Sequence, residues 1–145
     1  MEEKTPNTNL ASEYHVLSCL YRIGANAHLT LGNKKSVDII VEKPESLLTI
    51  DVKGLKGVSS FPVDNVTKKD KNHFIAFVSY GGKIEDTNHP PEIYIIPADE
   101  LEVPHAELEG KSVIYVSPKD NLKRVPLGHL RKLKEKYKDN WEPLK

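Results

Sequence analysis

The sequence predicts an α/β fold, a mixed β-sheet flanked by helices. Three observations predict it: an amphipathic helical pattern near the N-terminus, a series of Val-, Ile- and Phe-rich strand patterns behind it, and a second helical pattern near the C-terminus. Asn7, Thr8 and Asn9 offer N-cap oxygens ahead of Leu10, Tyr14, Leu17, Leu20 and Tyr21, and Gly24 ends that helix. Residues 27–31 read as a short strand, Gly32-Asn33 as a turn and residues 36–42 as a second strand. Lys43-Pro44-Glu45-Ser46 then forms a hairpin loop into a third strand over 47–53. From 54 to 72 the pattern dissolves into Gly, Ser, Pro and Lys, with Asp64 or Asn65 able to start a short helix at most. Residues 73–80, 92–96 and 112–116 are further strands, a polar turn fills 81–91, and 127–137 is the C-terminal helix.

The 145 residues, 38% hydrophobic and 29% charged, suit one compact domain over residues 1–145. No apolar run is long enough to cross a bilayer, and the N-terminus lacks the basic-then-apolar order of a secretory leader, so a soluble, cytoplasmic protein without membrane contact is expected. Cys19 is the single cysteine, which excludes an intramolecular disulfide and a thiolate zinc cage. The six histidines show no zinc-binding spacing. Formal net charge is zero, yet Lys119, Lys123, Arg124, Arg131, Lys132, Lys134, Lys136 and Lys138 face only Asp120 and Glu135 within their segment. That segment is either a phosphate-tracking surface or a solvated helix face.

Chemistry concentrates in the first third of the chain. Side chains alternate along a strand, so Thr49, Asp51 and Lys53 share one face while Leu48, Ile50 and Val52 share the other. If Glu42 pairs with Leu47 across the hairpin, Asp38 falls opposite Asp51. Facing carboxylates repel unless something holds them, and a divalent cation with oxygen ligands would do so. Lys53 would then lie near the cation, able to orient or deprotonate water or to neutralise charge on a phosphate. Glu13 adds a carboxylate within about 60° of the apolar stripe of its helix, which is expensive to bury without a partner.

Glu13, then Val37-Asp38, then Asp51-Val52-Lys53 resembles the signature of the PD-(D/E)XK, or restriction-endonuclease-like, nuclease superfamily, with Val37 where a proline often stands. The stretch from Ser12-Glu13-Tyr14 through Leu31-Gly32-Asn33 to Lys53-Gly54 looks like small bacterial PD-(D/E)XK endonucleases. The likeness continues through residues 74–78 and Ile93-Tyr94-Ile95-Ile96-Pro97, covering about the first hundred residues. It implies an α-β-β-β-α-β core and Mg²⁺, replaceable by Mn²⁺, on Asp38, Asp51 and the Val52 backbone carbonyl, with Glu13 as accessory ligand. The implied reaction is hydrolysis of a nucleic-acid phosphodiester, DNA before RNA, with Lys53 on the attacking side. Aspartate at 51 replaces the commoner glutamate.

Around that constellation Lys56, Lys68, Lys69 and Lys71, in or beside the loop that leaves the site, are either nucleic-acid contacts or solubilising loop charge. His73 reads as a surface or strand-end residue, Tyr14 and Tyr21 as core, and Trp141 as a packing anchor for the C-terminus. By analogy, cutting both strands of a duplex calls for a homodimer or a larger assembly. The rival expectation is a catalytically inactive member of the same fold that binds nucleic acid or a protein partner.

Overall fold

The computed structural model describes residues 4–30, 37–64 and 70–145. Helix α1 (Thr8–Arg22) starts where the Asn7 side chain accepts from the Leu10 N–H at 3.0 Å. It ends before Gly24, whose φ of 84° lies in the left-handed region open to glycine. Its inward face differs from the one the spacing suggested. Ser12, Glu13, Val16, Leu17 and Leu20 are buried, whereas Leu10, Tyr14 and Tyr21 are exposed. The cause is a close approach to Gly54, where an added Cβ would lie 2.5 Å from Ser12 Oγ and 3.0 Å from the Thr8 carbonyl oxygen. A helix drawn in along Thr8 and Ser12 turns Tyr14 and Tyr21 toward water.

In chain order the strands are β1 (Asn26–Leu29), β2 (Ile39–Glu42), β3 (Leu47–Leu55), β4 (Ser60–Pro62), β5 (His73–Ser79), β6 (Glu92–Pro97), β7 (Tyr115–Val116) and β8 (Lys123–Pro126). Five of them form a mixed sheet in the order β1-β2-β3-β5-β6, and β4-β8-β7 form a smaller one. The hairpin closes as expected, with the Lys43 N–H donating to the Ser46 carbonyl at 2.9 Å. β3 and β5 run parallel, which requires a long crossover. Among the described residues that crossover forms β4 rather than the helix the core pattern implies, and the segment around the Asn65 helix start, 65–69, lies outside them. The expected Gly32-Asn33 turn lies outside them as well.

One apolar cluster fills each face of the large sheet. On the α1 side, Val16, Leu17 and Leu20 meet Ile39, Ile50, Val52, Ala76 and Val78. On the other, Ile75, Phe77, Tyr94 and Ile96 meet Phe61, Val125, Leu127 and Leu133 from the small sheet and the C-terminal helices. Phe61 stacks edge-on against Phe77 with ring centroids 5.1 Å apart. β5 is buried at every position, as the apolar run from Phe74 to Val78 anticipated for its interior.

Toward the C-terminus the elements are shorter than their patterns. The Ser112 hydroxyl accepts from the Ile114 N–H at 3.2 Å, a local turn that competes with strand pairing and leaves only Tyr115–Val116 in β7. The helix expected over 127–137 is two, α2 (Leu127–Lys132) and α3 (Lys134–Tyr137), because buried Leu133 between them has φ −110° and ψ 21°. Among the described residues no helix is long and apolar enough to cross a membrane.

Candidate active site

The β2–β3 ladder has the expected register over four pairs, from Glu42 with Leu47 to Ile39 with Ile50. Asp38 stands one residue beyond the last pair, and its N–H donates to the Ile50 carbonyl at 3.0 Å. It is thus offset from Asp51 rather than paired with it in the ladder. Its own carbonyl is held from β1, accepting from the Thr30 N–H at 2.9 Å and the Thr30 hydroxyl at 3.1 Å. The Asp38 carboxylate turns onto β3, where Oδ2 accepts from the Val52 N–H at 2.7 Å. This offset avoids two carboxylates stacked directly across a ladder. Along a strand a residue's N–H and C=O point the same way, so the Val52 carbonyl opens on the side of β3 that Asp38 occupies.

Asp51 and Lys53 share a face of β3 as expected, and their partners on β5 are Ile75 and Phe77. Asp51 is 16% exposed and Oδ2 lies 3.2 Å from His73 Nε2. His73 is fully buried, and its Nδ1 is 2.7 Å from the Thr49 hydroxyl. A carboxylate oxygen only accepts, so in this pair His73 donates from Nε2 to Asp51 while Nδ1 meets the Thr49 hydroxyl. The expectation of a surface role for His73 is overturned. Its place at the start of β5 holds, but the parallel pairing sets it beside Thr49 and makes it the support that aims Asp51. The sequence offered a polar residue leading an apolar strand; the partner strand was not visible in it.

The remaining candidates are dispersed. Glu13, 8% exposed, is on α1, whose Val16, Leu17 and Leu20 pack against the Val52 side of the sheet. Lys56 and Lys71 are exposed at opposite ends of β3, one just past Leu55 and the other near Asn72, whose carbonyl accepts from the Thr49 N–H. Lys68 and Lys69 lie outside the described residues. Among those residues no three or more His, Cys, Asp or Glu side chains gather into a metal-holding group. A cation beside this part of β3 would therefore draw on Asp38, Asp51, the Val52 carbonyl and water. That all-oxygen set fits Mg²⁺, which keeps several waters.

Burial raises the thiol pKa of Cys19, which makes it a poor nucleophile, and the residue is half-buried rather than fully enclosed. Trp141 packs against the α1-side cluster, the anchoring role expected of it.

No protein-family model matches the sequence, and no curated protein is similar to it. Among solved structures, a bacterial homing endonuclease is similar to this chain with a TM-score of 0.44 and 17% identity, over 68% of this chain and 68% of that one.

Proposed function

We propose that the protein is a Mg²⁺-dependent nuclease that hydrolyses phosphodiester bonds in nucleic acid, DNA before RNA. The observation that carries this reading is the Asp38 carboxylate turned onto Val52, between an Asp51 aimed by His73 and a Lys53 on Asp51's face. Asp38, Asp51 and the Val52 carbonyl would hold the cation, with Glu13 as an accessory carboxylate from α1. When bound, Mg²⁺ or Mn²⁺ supplies the positive charge that stabilises a phosphate in its transition state. Lys53 Nζ orients the attacking water or neutralises charge on a phosphate oxygen. His73 keeps Asp51 Oδ2 occupied, so that the other oxygen faces the site. Lys56, Lys68, Lys69 and Lys71 would meet the phosphate backbone on either side. A homodimer, or a place in a larger assembly, would supply the second cut of a duplex.

The test is cleavage of labelled linear, single-stranded and branched DNA and of RNA with Mg²⁺ or Mn²⁺, for wild type, Asp51→Ala and Lys53→Ala. The expected result is cutting by wild type that both substitutions abolish. The reading fails if all three are inert on every substrate and Mn²⁺ leaves the wild-type melting temperature unchanged.

A second reading has its own support. The bonds from Val52 to Asp38 and from His73 to Asp51 give both acids a structural task without a metal. A catalytically inactive module that binds nucleic acid or a protein partner would keep them for that reason. Binding without cutting, unaffected by Lys53→Ala, is its signature.

A further inference from the structure

A cavity of about 590 Å³ opens where β5 ends and β6 begins, beyond the carboxylate site. Tyr80, Ile93, Trp141, Pro90 and Pro91 form its apolar wall. Three hydrogen bonds fasten it to the segment that leaves Asp51 and Lys53. The Tyr80 N–H donates to the Leu55 carbonyl at 2.9 Å, the Gly82 N–H to the Lys56 carbonyl at 2.7 Å, and the Ser79 hydroxyl to the Gly57 carbonyl at 2.8 Å. At about 3.3 Å per strand residue, Leu55 is roughly 13 Å from Asp51. That is about four base steps of a nucleic-acid strand at ~3.4 Å each.

The charged lining is balanced, with Arg131 and Lys138 against Glu92 and Asp139. The Arg131 guanidinium is already held by both Glu92 oxygens, each contact 3.0 Å, and Glu92 also accepts from the Tyr94 hydroxyl. Such a rim carries no net formal charge to favour a bare phosphate. It does have fixed donors and acceptors beside a flat indole. Burial and the nearby Arg22 push His15 below its usual pKa, so it presents a neutral imidazole able both to donate and to accept. His89, which is exposed, also lines the cavity. A flat, uncharged heterocycle with hydrogen-bonding edges matches this chemistry.

We propose, resting on the nucleic-acid reading above, that this cavity takes one unstacked nucleobase of the substrate strand, stacked on Trp141 and held at its edge by the polar rim. The substrate strand then passes from the Asp51–Lys53 face, by the Leu55 end of β3, to the α1 side where the cavity lies, and the base in the cavity sets where the strand is cut relative to an unpaired position.

Trp141 is the single tryptophan, so its fluorescence reports on the cavity alone. The full chain is titrated in EDTA with a single-stranded oligonucleotide and with an all-abasic strand of equal length, while anisotropy of a labelled strand follows binding. Saturable quenching by the base-bearing strand, at least ten-fold weaker for the abasic one and weakened several-fold by His89→Ala or Lys138→Ala, is expected. Equal quenching by both strands overturns the proposal. So does absence of quenching by a strand that binds or is cut, indifference to both substitutions, or absence of any binding. Quenching as expected from a protein that never cuts sinks the nuclease reading and leaves the base site standing.

Discussion

Replacing Gly54 by alanine tests the contact that positions α1, and with it Glu13. The new Cβ would sit 2.5 Å from Ser12 Oγ, 3.0 Å from the Thr8 carbonyl oxygen and 3.2 Å from Ser12 Cβ. Two of those neighbours are helix backbone or the stem of a fully buried side chain, so the helix must move rather than a flexible tip. Overpacking of this kind costs about 1–3 kcal/mol, which lowers Tm by roughly 3–10 °C for a chain of this size. Ser12→Ala alone removes the 2.7 Å bond from its hydroxyl to the Thr8 carbonyl and the oxygen nearest the new Cβ. It should cost no more than about 1 kcal/mol. The double variant keeps the two longer contacts and loses the 2.5 Å one, so it should recover at least ~0.5 kcal/mol relative to additivity. Gly57→Ala is the control, since its Cβ meets nothing within 4 Å and its φ is not positive. Urea unfolding followed by circular dichroism measures all four. Strict additivity of Ser12→Ala and Gly54→Ala, or a Gly54→Ala as stable as Gly57→Ala, refutes the close approach.

Three further predictions concern the site and the C-terminal helices. Asp38→Ala leaves the Val52 N–H without its acceptor and should lose about 1–3 kcal/mol without metal, whereas Asp38→Asn keeps an acceptor and stays near wild type. Asp38→Asn should nonetheless lose the Mg²⁺-dependent rise in Tm, and an undiminished rise argues against Asp38 as a ligand. His73→Ala removes a fully buried ring that joins Thr49 to Asp51, so a loss of about 2 kcal/mol and a fall in any cleavage rate are expected. A change of only a few tenths would show that Asp51 does not depend on it. The Arg131 guanidinium, followed by the Tyr94 hydroxyl, holds the Glu92 carboxyl below its usual pKa against the opposing effect of burial. Its contribution is therefore complete above the unfolded carboxylate value and is lost as pH falls through the lower folded one. Because Arg131 is half exposed, the effect should stay under about 1 kcal/mol. Unfolding curves between pH 6 and about pH 3 should fall less steeply for Glu92→Gln than for wild type, and parallel curves would exclude the ion pair.

Much of the frame was legible because it depends on short-range patterns. Asn7 and Gly24 bound α1 because a cap oxygen and a left-handed glycine act on their immediate neighbours. The 43–46 loop set the β2–β3 register, since a tight connection leaves few ways for two strands to pair. Alternation then put Asp51 and Lys53 on one face. β8 escaped detection because a basic segment with a single buried Val125 carries little strand pattern, and β4 because a three-residue strand has no period to show.

What the sequence determined by itself was local: the two ends of α1, the hairpin, the burial of β5 and the order in which the acids and Lys53 occur. Tertiary structure alone decided which face of α1 points inward, because Ser12 and Gly54 meet across 42 residues of chain. It alone decided that Asp38 turns onto Val52 instead of facing Asp51, and that His73 stands behind Asp51 through the β3–β5 pairing. Those contacts join residues far apart along the chain, and no local propensity specifies them; packing and the need to satisfy buried polar groups do.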